Sequence, residues 1–558
     1  MPFKKEIVKL ISKFTEIDDD TIAGLLEVPP DLSLGDYAFP CYFLAKELKK
    51  NPAEIAKELA AKIKPTEIIT KVKQNGPYVN FFIGKAAFAK HVLTEKPEFV
   101  RQKATIMIEF SQPNTNKPQH LGHVRNDLLG MSISKILEWV GCKVIKANLI
   151  NDRGIHICKS MLAYQKWGNN QEPDIKPDHF VGKFYILFSQ KAKEDSKLED
   201  EAKELLVKWE QGDKEVVALW RKMNDWCIKG FQETYEALGV RFDRVYYESE
   251  IYKGGKEIIL DALEKGLVKK DRTGAVIAEL EPDLPNKVLL RKDGTSLYIT
   301  QDINLAVQKF KDYQLDKSIY VVGSEQNLYF KQLFAILELI GYKGVEKCHH
   351  LSYGMVYLPE GKMKSREGTV VDADDIIREA KDLAREELKK RYKDIATEEL
   401  EKRADQIGLG ALKFMLLKYD PKKDIYYNPK ESISFEGETG PYLQYTHARI
   451  CSILRKNESD FKRDIDFSVL KEKVELNLIN KLFMFKETVE DAAAQHKPSL
   501  IARYLLDLTQ LLNEFYHSCP VLKAEEKLKH ARLLLIEKVK DTIKEGLLLL
   551  GIESPEKM

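Results

Sequence analysis

The strongest pattern of apolar and polar positions lies between residues 104 and 150. Residues 104–110 form a short, mostly apolar run of strand-forming side chains, and a cluster of turn-forming residues follows it. From Leu121 onward, apolar residues recur at helical spacing until Gly141, a residue suited to end a helix. Residues 143–150 then have the pattern of a second strand. This order predicts a right-handed unit of a parallel sheet, which binds ligands at the carboxyl ends of its strands.

The chain before this unit and the chain directly after it have different patterns. An amphipathic helix with apolar residues such as Phe3 and Ile7 opens the sequence, and a turn at 75–77 leads into a strand at 78–83. Residues from about 160 to 285 are charged and helical in pattern before they become rich in turns. We therefore predict an α+β region at the start and a largely helical insertion after the first strand-helix-strand unit.

The pattern of the parallel sheet resumes at 287–291, and residues 297–302 and 319–323 are predicted as further turns and strands. From about residue 400 the chain is helical in pattern, with apolar stripes such as the one through Leu505 and Leu508. The fold class predicted is therefore a multidomain α/β protein. Its parts are an α+β N-terminal domain (1–100), a Rossmann-like parallel-sheet domain (101–390, insertion about 160–285) and an all-α C-terminal domain (391–558).

Composition agrees with several domains and narrows the class of protein. Of its 558 residues, 44% are hydrophobic, as in a globular protein. A chain of this length is too long for a single hydrophobic core. Its 89 basic and 87 acidic residues leave a net charge of +2, so any nucleic acid must be bound by local basic patches. Apolar runs stay below the ~18 residues of a membrane span, and the N-terminus lacks the apolar core of a signal peptide. We expect a cytoplasmic protein without a membrane partner.

The seven cysteines are scattered along the chain, and none of them forms a Cys-x-x-Cys pair. This spacing argues against a disulfide framework and against a structural zinc site. We therefore expect no metal ligands of that kind and no zinc.

Two short segments point to chemistry on a nucleotide. His120, Gly122 and His123 stand where the first predicted strand feeds its helix, so ring donors and a bare backbone face a bound phosphate. Gly122 leaves room for close approach by an adenosine. An alternative is that these are two surface histidines at i, i+3, or half of a metal site.

The second segment is Lys362-Met363-Lys364-Ser365-Arg366, which lies between two glycines, Gly361 and Gly368. Its composition is typical of a mobile loop that closes over phosphates. An ordinary solvated basic turn is the alternative. Together the two segments indicate an ATP-dependent synthetase that transfers an adenylyl group, in which positioned donors stabilise the phosphoryl oxygens and the departing pyrophosphate.

These segments carry a resemblance to a known family. The tetrapeptide from His120 to His123 resembles the HIGH signature of class I aminoacyl-tRNA synthetases, and Lys362–Arg366 resembles a degenerate form of their KMSKS loop. The longer segments 109–125 and 435–449 resemble those of arginyl-tRNA synthetases, in the same order along the chain. The resemblance implies an arginine-tRNA ligase that uses ATP with Mg²⁺, L-arginine and tRNA(Arg), and that acts as a monomer.

The resemblance also implies roles for residues around the nucleotide. His120, Gly122, His123 and Lys362 match catalytic and ATP-binding positions, and the next three residues of the loop, Met363, Lys364 and Ser365, match further ATP-binding positions. Ser365 occupies the place of the second lysine of KMSKS. In arginyl enzymes a lysine just before the HIGH motif is thought to replace it, and Lys117 is at that place.

Recognition of an arginine side chain requires carboxylates, because a guanidinium presents a planar fork of donors that a carboxylate meets bidentately. By resemblance, Glu109, Tyr298 and Asp302 hold the side chain, while Asn114 and Gln326 lie near the amino acid backbone. The alternative for Asp302 is a helix N-cap. One departure stands out: residues 153–156 read Arg-Gly-Ile-His, where many relatives carry Trp and Gln.

Contacts with tRNA are implied for both ends of the chain. Asn75, Tyr78 and Asn80 match positions that read the D-loop, where an aromatic ring stacks on an unpaired base. The predicted C-terminal domain corresponds to the helical anticodon-binding domain of the family. The residues that match positions near the anticodon loop are Tyr442, Arg449, Tyr516 and Met558. For the aromatic residues packing is the alternative, and for Arg449 a surface ion pair.

Two other functions fit parts of the sequence. One is another class I synthetase, of the cysteinyl or glutaminyl type, which the paired acids at the amino acid site disfavour. The other is a catalytically silent tRNA-binding paralogue, which the intact His120, Gly122 and His123 disfavour.

Overall fold

A computed structural model describes residues 2–29, 31, 34–95, 103–357, 371–392, 394–457 and 465–558. Its strands are β1 Tyr37–Pro40, β2 Ile69–Asn75, β3 Tyr78–Ile83, β4 Thr105–Glu109, β5 Lys143–Ile150, β6 Arg244–Tyr247, β7 Lys269–Lys270, β8 Val276–Ala278, β9 Lys287–Leu290, β10 Lys317–Gly323, β11 Cys348–Tyr353, β12 Val356–Tyr357 and β13 Ile425–Tyr426.

The α-helices lie between and after these strands. They are α1 Pro2–Ser12, α2 Asp19–Leu25, α3 Tyr42–Leu48, α4 Pro52–Lys62, α5 Lys85–Thr94, α6 Leu121–Trp139, α7 Ile155–Trp167, α8 Pro177–Glu194, α9 Lys197–Glu210, α10 Lys214–Leu238, α11 Glu248–Ile251, α12 Gly254–Glu264, α13 Tyr298–Asp312, α14 Asn327–Leu339, α15 Ala373–Arg391, α16 Thr397–Leu417, α17 Pro429–Ser432, α18 Gly440–Arg455, α19 Lys473–Phe483, α20 Phe485–Gln495, α21 Pro498–Ser518 and α22 Glu526–Leu549.

The chain divides into two compact units, each assembled from several segments. The first consists of Met1–Pro97, Ser452–Phe485 and Leu508–Thr542, and the second of Glu98–Cys451, Lys486–Asp507 and Ile543–Met558. Both units contain parts of the C-terminal helices. The bounds of these units therefore differ from those of the three domains predicted from the sequence, which stay a prediction.

In the first unit a three-stranded antiparallel sheet, in the order β1-β3-β2, packs against helices. Phe3, Ile7 and Ile11 recur at helical spacing along α1 and are buried in the same core cluster as Phe39 and Phe81. The predicted amphipathic helix and the predicted strand at 78–83 are therefore confirmed.

The second unit is built on a five-stranded parallel sheet in the order β11-β10-β4-β5-β6. Strands β4 and β5 and the helix α6 between them match the predicted strand-helix-strand unit. Gly141 follows the end of α6 with a φ of 95°, a conformation that favours glycine, as expected at a helix end. Strand β4 lies at the centre of the sheet, between β10 and β5. The residues that follow β4 are therefore flanked by the ends of both neighbouring strands.

Two elements of the second half differ from the prediction. Residues 297–302, predicted as turn and strand, form the N-terminal part of α13, because Ile299, Ile303 and Ala306 are buried at helical spacing. A six-residue window is too short to distinguish the two periods. The segment at 287–291 does form a strand, β9, but it joins the small antiparallel sheet β7-β8-β9 instead of the parallel sheet.

None of the described helices is long and apolar enough to cross a membrane. All seven cysteines are free, and six of them are buried. Burial raises the pKa of the Cys41 and Cys158 thiols to about 12, so both are inert thiols of the core.

A buried arginine on α6 joins three segments of the second unit. The side chain of Arg125 has no exposed surface, and its guanidinium donates to four backbone carbonyl oxygens. Two of these belong to Gly354 and Met355, before β12, at 2.5 and 3.1 Å. The others belong to Pro421 and Lys423, before β13, at 3.0 and 2.8 Å. The guanidinium thus fixes the N-terminal half of α6 against both segments.

Replacement of this guanidinium should be strongly destabilising. In Arg125→Met all four carbonyls would lose a donor, and only those of Pro421 and Met355 would keep a backbone N–H, from Gly354 and Ile425. We expect the free energy of unfolding to fall by about 3–5 kcal/mol. Arg378→Met is the matched control, because the side chain of Arg378 is 68% exposed, and it should change stability by less than about 0.5 kcal/mol. Urea denaturation of the full chain measures both. Equal denaturation midpoints for the two variants would contradict the assigned role of Arg125.

Candidate active site

Two cavities flank the loop between β4 and α6, at the carboxyl ends of the parallel strands. The first, the histidine cavity, has a volume of about 210 Å³ and is lined by residues that include Lys117, His120, His179 and Asp372. The second, the carboxylate cavity, has a volume of about 470 Å³. Its lining includes all five residues predicted to bind an amino acid: Glu109, Asn114, Tyr298, Asp302 and Gln326. The fold brings these together from β4, α13 and the turn after β10.

The two histidines of the motif cap their own helix. His120 is the N-cap of α6, and its Nδ1 accepts a hydrogen bond from the backbone N–H of Gly122 at 3.1 Å. Nδ1 of His123 accepts in turn from the backbone N–H of His120 at 3.2 Å. An imidazole that accepts at Nδ1 and is neutral carries its hydrogen on Nε2. The capping box therefore fixes both rings as Nε2–H donors.

Burial keeps both rings neutral. It lowers the pKa of His120 to about 4, and the neighbouring Lys117 ammonium lowers it further. The pKa of His123 lies well below its ordinary value for the same reasons, with His120 as an added cause. Gly122 is required by the close packing, because a Cβ at that position would lie 2.9 Å from Cε1 of His120.

The segment after residue 370 lies against the histidine motif. The backbone N–H of Leu121 donates to the carbonyl of Val371 at 3.4 Å, and that of Ala373 donates to the carbonyl of Gln119 at 2.9 Å. The predicted ATP-binding residues Lys362, Met363, Lys364 and Ser365 lie outside the described residues. Their downstream neighbours therefore reach the edge of the histidine cavity.

One group of side chains near this cavity has the composition of a metal site. Asp178, His179 and Asp374 offer ligand atoms that lie within 4.8 Å of one another. However, the Lys176 ammonium lies 2.7 Å from an Asp374 oxygen, and His179 Nε2 lies 2.7 Å from the same carboxylate. These contacts lower the pKa of Asp374 against the effect of its burial. The hydrogen bond to Asp374 also raises the pKa of His179. The group is therefore a partly buried ion-pair network whose positive charge is supplied by Lys176 and, when protonated, by His179.

The carboxylate cavity contains one carboxyl group that the protein itself neutralises. Glu109, at the end of β4, forms an ion pair with Lys309 of α13, and both side chains are almost completely buried. The Lys309 ammonium also lies over the ring of Tyr320, 4.0 Å from its centroid. Glu109 therefore contributes little net negative charge to a ligand.

Asp302 has a different environment. Its Oδ2 accepts a hydrogen bond from the Tyr329 hydroxyl, and no lysine or arginine of the described chain forms an ion pair with it. Burial raises the pKa of Asp302 to about 7, and the charge of Glu109 adds to the increase. The N-cap of α13 is Leu297, so the alternative that Asp302 caps this helix is wrong. Asp302 is thus the carboxylate of this cavity that lacks an internal cation.

The structure adds residues that sequence reasoning missed. Glu248, Gln301 and Tyr329 line the carboxylate cavity, and Lys309 lies behind it. Burial raises the pKa of Glu248 to about 8, and the nearby Arg153 opposes this increase. Gln301 precedes Asp302 on α13, but Glu248 lies in the insertion and no periodicity ties it to this cavity. Arg153 contacts Gln301 and lies near Glu248, and both of these residues line the cavity.

In the first unit, the predicted D-loop residues flank one hairpin. Asn75 ends β2 and is exposed, whereas Tyr78 begins β3 and is half-buried, with its ring edge-on to Tyr42 at 6.0 Å between centroids. Asn80 is only 4% exposed. The hairpin therefore presents Asn75 and Tyr78 to solvent next to the exposed Tyr42 of α3, while the side chain of Asn80 faces the interior.

The residues predicted near the anticodon are distributed over both units. Tyr442 and Arg449 lie on α18 of the second unit, where Arg449 is exposed and Tyr442 half-buried. Met558 packs against a core cluster formed by α15 and α16 in the same unit. Tyr516 lies on the part of α21 that belongs to the first unit, next to the ring of Phe515.

Three sequence families match the chain in succession. Residues 2–83 match the arginyl tRNA synthetase N-terminal domain, 87–428 the catalytic domain of class I (R) tRNA synthetases, and 443–558 the DALR anticodon-binding domain. The curated arginine-tRNA ligase of Treponema denticola is 45% identical over 96% of this chain and 94% of its own length. That of Parabacteroides distasonis is 44% identical over 91% of both chains.

Solved structures give the same result. The arginyl-tRNA synthetase of Thermus thermophilus is 31% identical, covers 100% of this chain with 99% of its own, and superposes with a TM-score of 0.81. The methionyl-tRNA synthetase of Mycobacterium tuberculosis is 12% identical over 82% of this chain and 92% of its own, with a TM-score of 0.51. The second likeness concerns the fold alone.

Proposed function

The chain belongs to the arginyl-tRNA synthetase family of class I, and from this premise we propose how it acts as an arginine-tRNA ligase. In the first step a carboxylate oxygen of L-arginine attacks the α-phosphorus of ATP, which enters with Mg²⁺, and pyrophosphate leaves. In the second step a hydroxyl of the tRNA 3′ terminus attacks the carbonyl carbon of the arginyl-adenylate, and AMP leaves. Neither step needs a covalent bond to the protein, so positioning and electrostatic stabilisation perform the catalysis.

The observation that carries this proposal is the charge distribution in the carboxylate cavity. Glu109 is neutralised by Lys309, which leaves Asp302 as the group that a ligand cation would complete. A guanidinium supplies that charge in a planar fork that matches a carboxylate. Glu248, which lines the same cavity, meets the other edge of the fork. The ring of Tyr298 covers the side chain, and Asn114 and Gln326 hold the amino acid backbone.

The histidine cavity receives the triphosphate. The Nε2–H donor of His120, which lines this cavity, meets the phosphoryl oxygens, and the N-terminus of α6 adds its partial positive charge. His123, whose ring centroid lies 4.0 Å from that of His120, is assigned the second donor. Lys117 adds a full charge, in the role that the second lysine of KMSKS plays elsewhere. Lys362, Met363, Lys364 and Ser365 are assigned to ATP binding through their resemblance to the family's loop.

The tRNA is bound by both ends of the chain. Asn75 and Tyr78 contact the D-loop side, and Asn80, whose side chain is buried, supports their hairpin from within. Tyr442, Arg449, Tyr516 and Met558 belong to the anticodon side. We assign the enzyme to the cytoplasm, where its tRNA and ATP are, and expect it to act as a monomer, as its resemblance to the family implies.

Loss of the first histidine should separate capping from catalysis. In His120→Asn the side-chain oxygen still caps α6, because Asn is a preferred N-cap residue, but the ring donor is gone. We expect arginine-dependent ATP-pyrophosphate exchange, measured with tRNA present, to fall about 100-fold, as for loss of one transition-state donor. His120→Ala should show the same loss and an additional stability loss of about 1 kcal/mol. If the folded Asn variant exchanges at the wild-type rate, the ring does not act on the phosphates.

Arginine binding should depend on pH through Asp302. Below pH 7 this carboxyl is largely protonated, so a guanidinium must displace its proton to bind. Since the ionised form is the one that binds, kcat/KM for arginine should rise with pH from about 6 and level off at about pH 9, once Glu248, with its pKa of about 8, is also ionised. Asp302→Asn should raise the arginine KM by the equivalent of about 2–5 kcal/mol and leave the ATP KM unchanged. A flat pH profile in the wild type would contradict this assignment.

Adenylate formation should require tRNA. The resemblance to arginyl enzymes implies this order, and a minor competent state favoured by tRNA accounts for it. Exchange should be near background with ATP and arginine alone and should rise when tRNA(Arg) is added. Arg449→Ala should raise the tRNA concentration needed for half-maximal exchange. Full exchange without tRNA would exclude this coupling.

A further inference from the structure

Arg153 lies three residues after the end of β5, behind Gln301 and Glu248 of the carboxylate cavity lining. Only 11% of its side chain is exposed. Its guanidinium lies over the ring of Tyr252, 4.1 Å from the centroid, and near the ring of Trp209, at 5.6 Å. Such contacts with two aromatic rings hold the planar group in one orientation.

The two ends of this guanidinium contact different parts of the protein. Nη2 donates to Glu210 Oε1 at 2.6 Å, at the C-terminal end of α9 in the insertion. Nη1 donates to the side-chain oxygen of Gln301 at 2.9 Å, in the orientation of the Gln301 amide that satisfies both of its ends. In the same orientation the amide nitrogen donates to Glu248 Oε1 at 2.8 Å. Nη1 itself lies 4.0 Å from that oxygen.

Glu248 is the member of this chain of contacts that reaches the ligand. It is 3% exposed and lines the carboxylate cavity together with Gln301 and Asp302. The charged and titratable groups that influence it or are influenced by it are Asp152, Arg153, Tyr298, Asp302 and Tyr329. Arg153 supplies the positive charge in this set.

We propose that Arg153 is a positioning residue of the arginine site, which acts through Gln301 to keep the Glu248 carboxylate charged and directed into the cavity. The proposal rests on the proposed function of this cavity. The Arg153 guanidinium is held by Glu210 and by the rings of Trp209 and Tyr252. Only its Nη1 edge is directed at Gln301, so the guanidinium does not occupy the place of the substrate. The insertion thereby contributes to amino acid recognition directly through Glu248, which lines the cavity, and indirectly through Glu210, which holds Arg153.

The electrostatics agree with this geometry. Burial, Asp152 and Asp302 all raise the pKa of Glu248, and Arg153 and the Gln301 amide oppose them. Removal of the guanidinium therefore raises this pKa further and leaves Glu248 protonated over more of the neutral range. A lysine at 153 cannot replace the arginine fully, because an ammonium lacks the fork that joins Glu210 to Gln301.

The test is arginine-dependent pyrophosphate exchange by the full-length chain with tRNA present, measured from pH 6 to 9. In Arg153→Met we expect kcat/KM for arginine at neutral pH to fall about 10- to 100-fold, the range typical of partners that orient a ligand-contacting group. Its pH midpoint should move to higher pH, and the ATP KM should stay within about twofold. For Arg153→Lys, kcat/KM and the pH midpoint should lie between those of the wild type and of Arg153→Met. This variant keeps the test valid if the Met variant does not fold. Arg272→Met, at an exposed arginine in the β7–β8 turn, is the matched control and should leave the profile unchanged.

A second comparison distinguishes positioning from an independent effect. If Arg153 acts through Glu248, Arg153→Met should cause little additional loss in a Glu248→Gln background. An equal loss in both backgrounds, or an unshifted pH midpoint in a folded Arg153→Met variant, would overturn the proposal. A wild-type chain without arginine-dependent exchange would instead overturn the proposed function, and this inference with it.

Discussion

The burial of the Arg125 guanidinium among four backbone carbonyls is the constraint on which the catalytic unit depends. The segments before β12 and β13 approach each other closely at Gly354, where a Cβ would lie 2.5 Å from the backbone of Lys423. Two of the four carbonyls already accept a backbone N–H, that of Pro421 from Gly354 and that of Met355 from Ile425, and the planar guanidinium is a donor to all four. Because Arg125 follows His123 by two residues on α6, the same interaction fixes where the two rings are held.

The histidines show how local and functional demands are met by the same atoms. A helix N-terminus leaves backbone N–H groups without partners, and Nδ1 of each ring accepts from one of them. This use of Nδ1 leaves Nε2–H as the donor, and burial keeps the rings neutral. The tautomer that suits a phosphate is thus a consequence of helix capping.

The amino acid pocket follows from a balance of internal charges. Burial of three carboxyl groups near one another is unfavourable unless cations or protons compensate them. Lys309 compensates Glu109 and Arg153 lies near Glu248, while the hydroxyl of Tyr329 is the partner of Asp302. A ligand that brings a guanidinium would remove the remaining imbalance, in agreement with the proposed role of this cavity as the arginine site.

The sequence by itself determined the strand-helix-strand unit around α6, the histidine motif at its start and the family, because these depend on periodicity and short motifs within one segment. Through resemblance it also named five of the residues that line the carboxylate cavity. Only the tertiary structure decided that Glu109 is already paired with Lys309, that residues 298–302 are helical, that Glu248 lines this cavity and that Arg153 lies behind it. These depend on contacts between residues far apart in the chain, such as Arg153 with Gln301, and on burial, which no local pattern encodes.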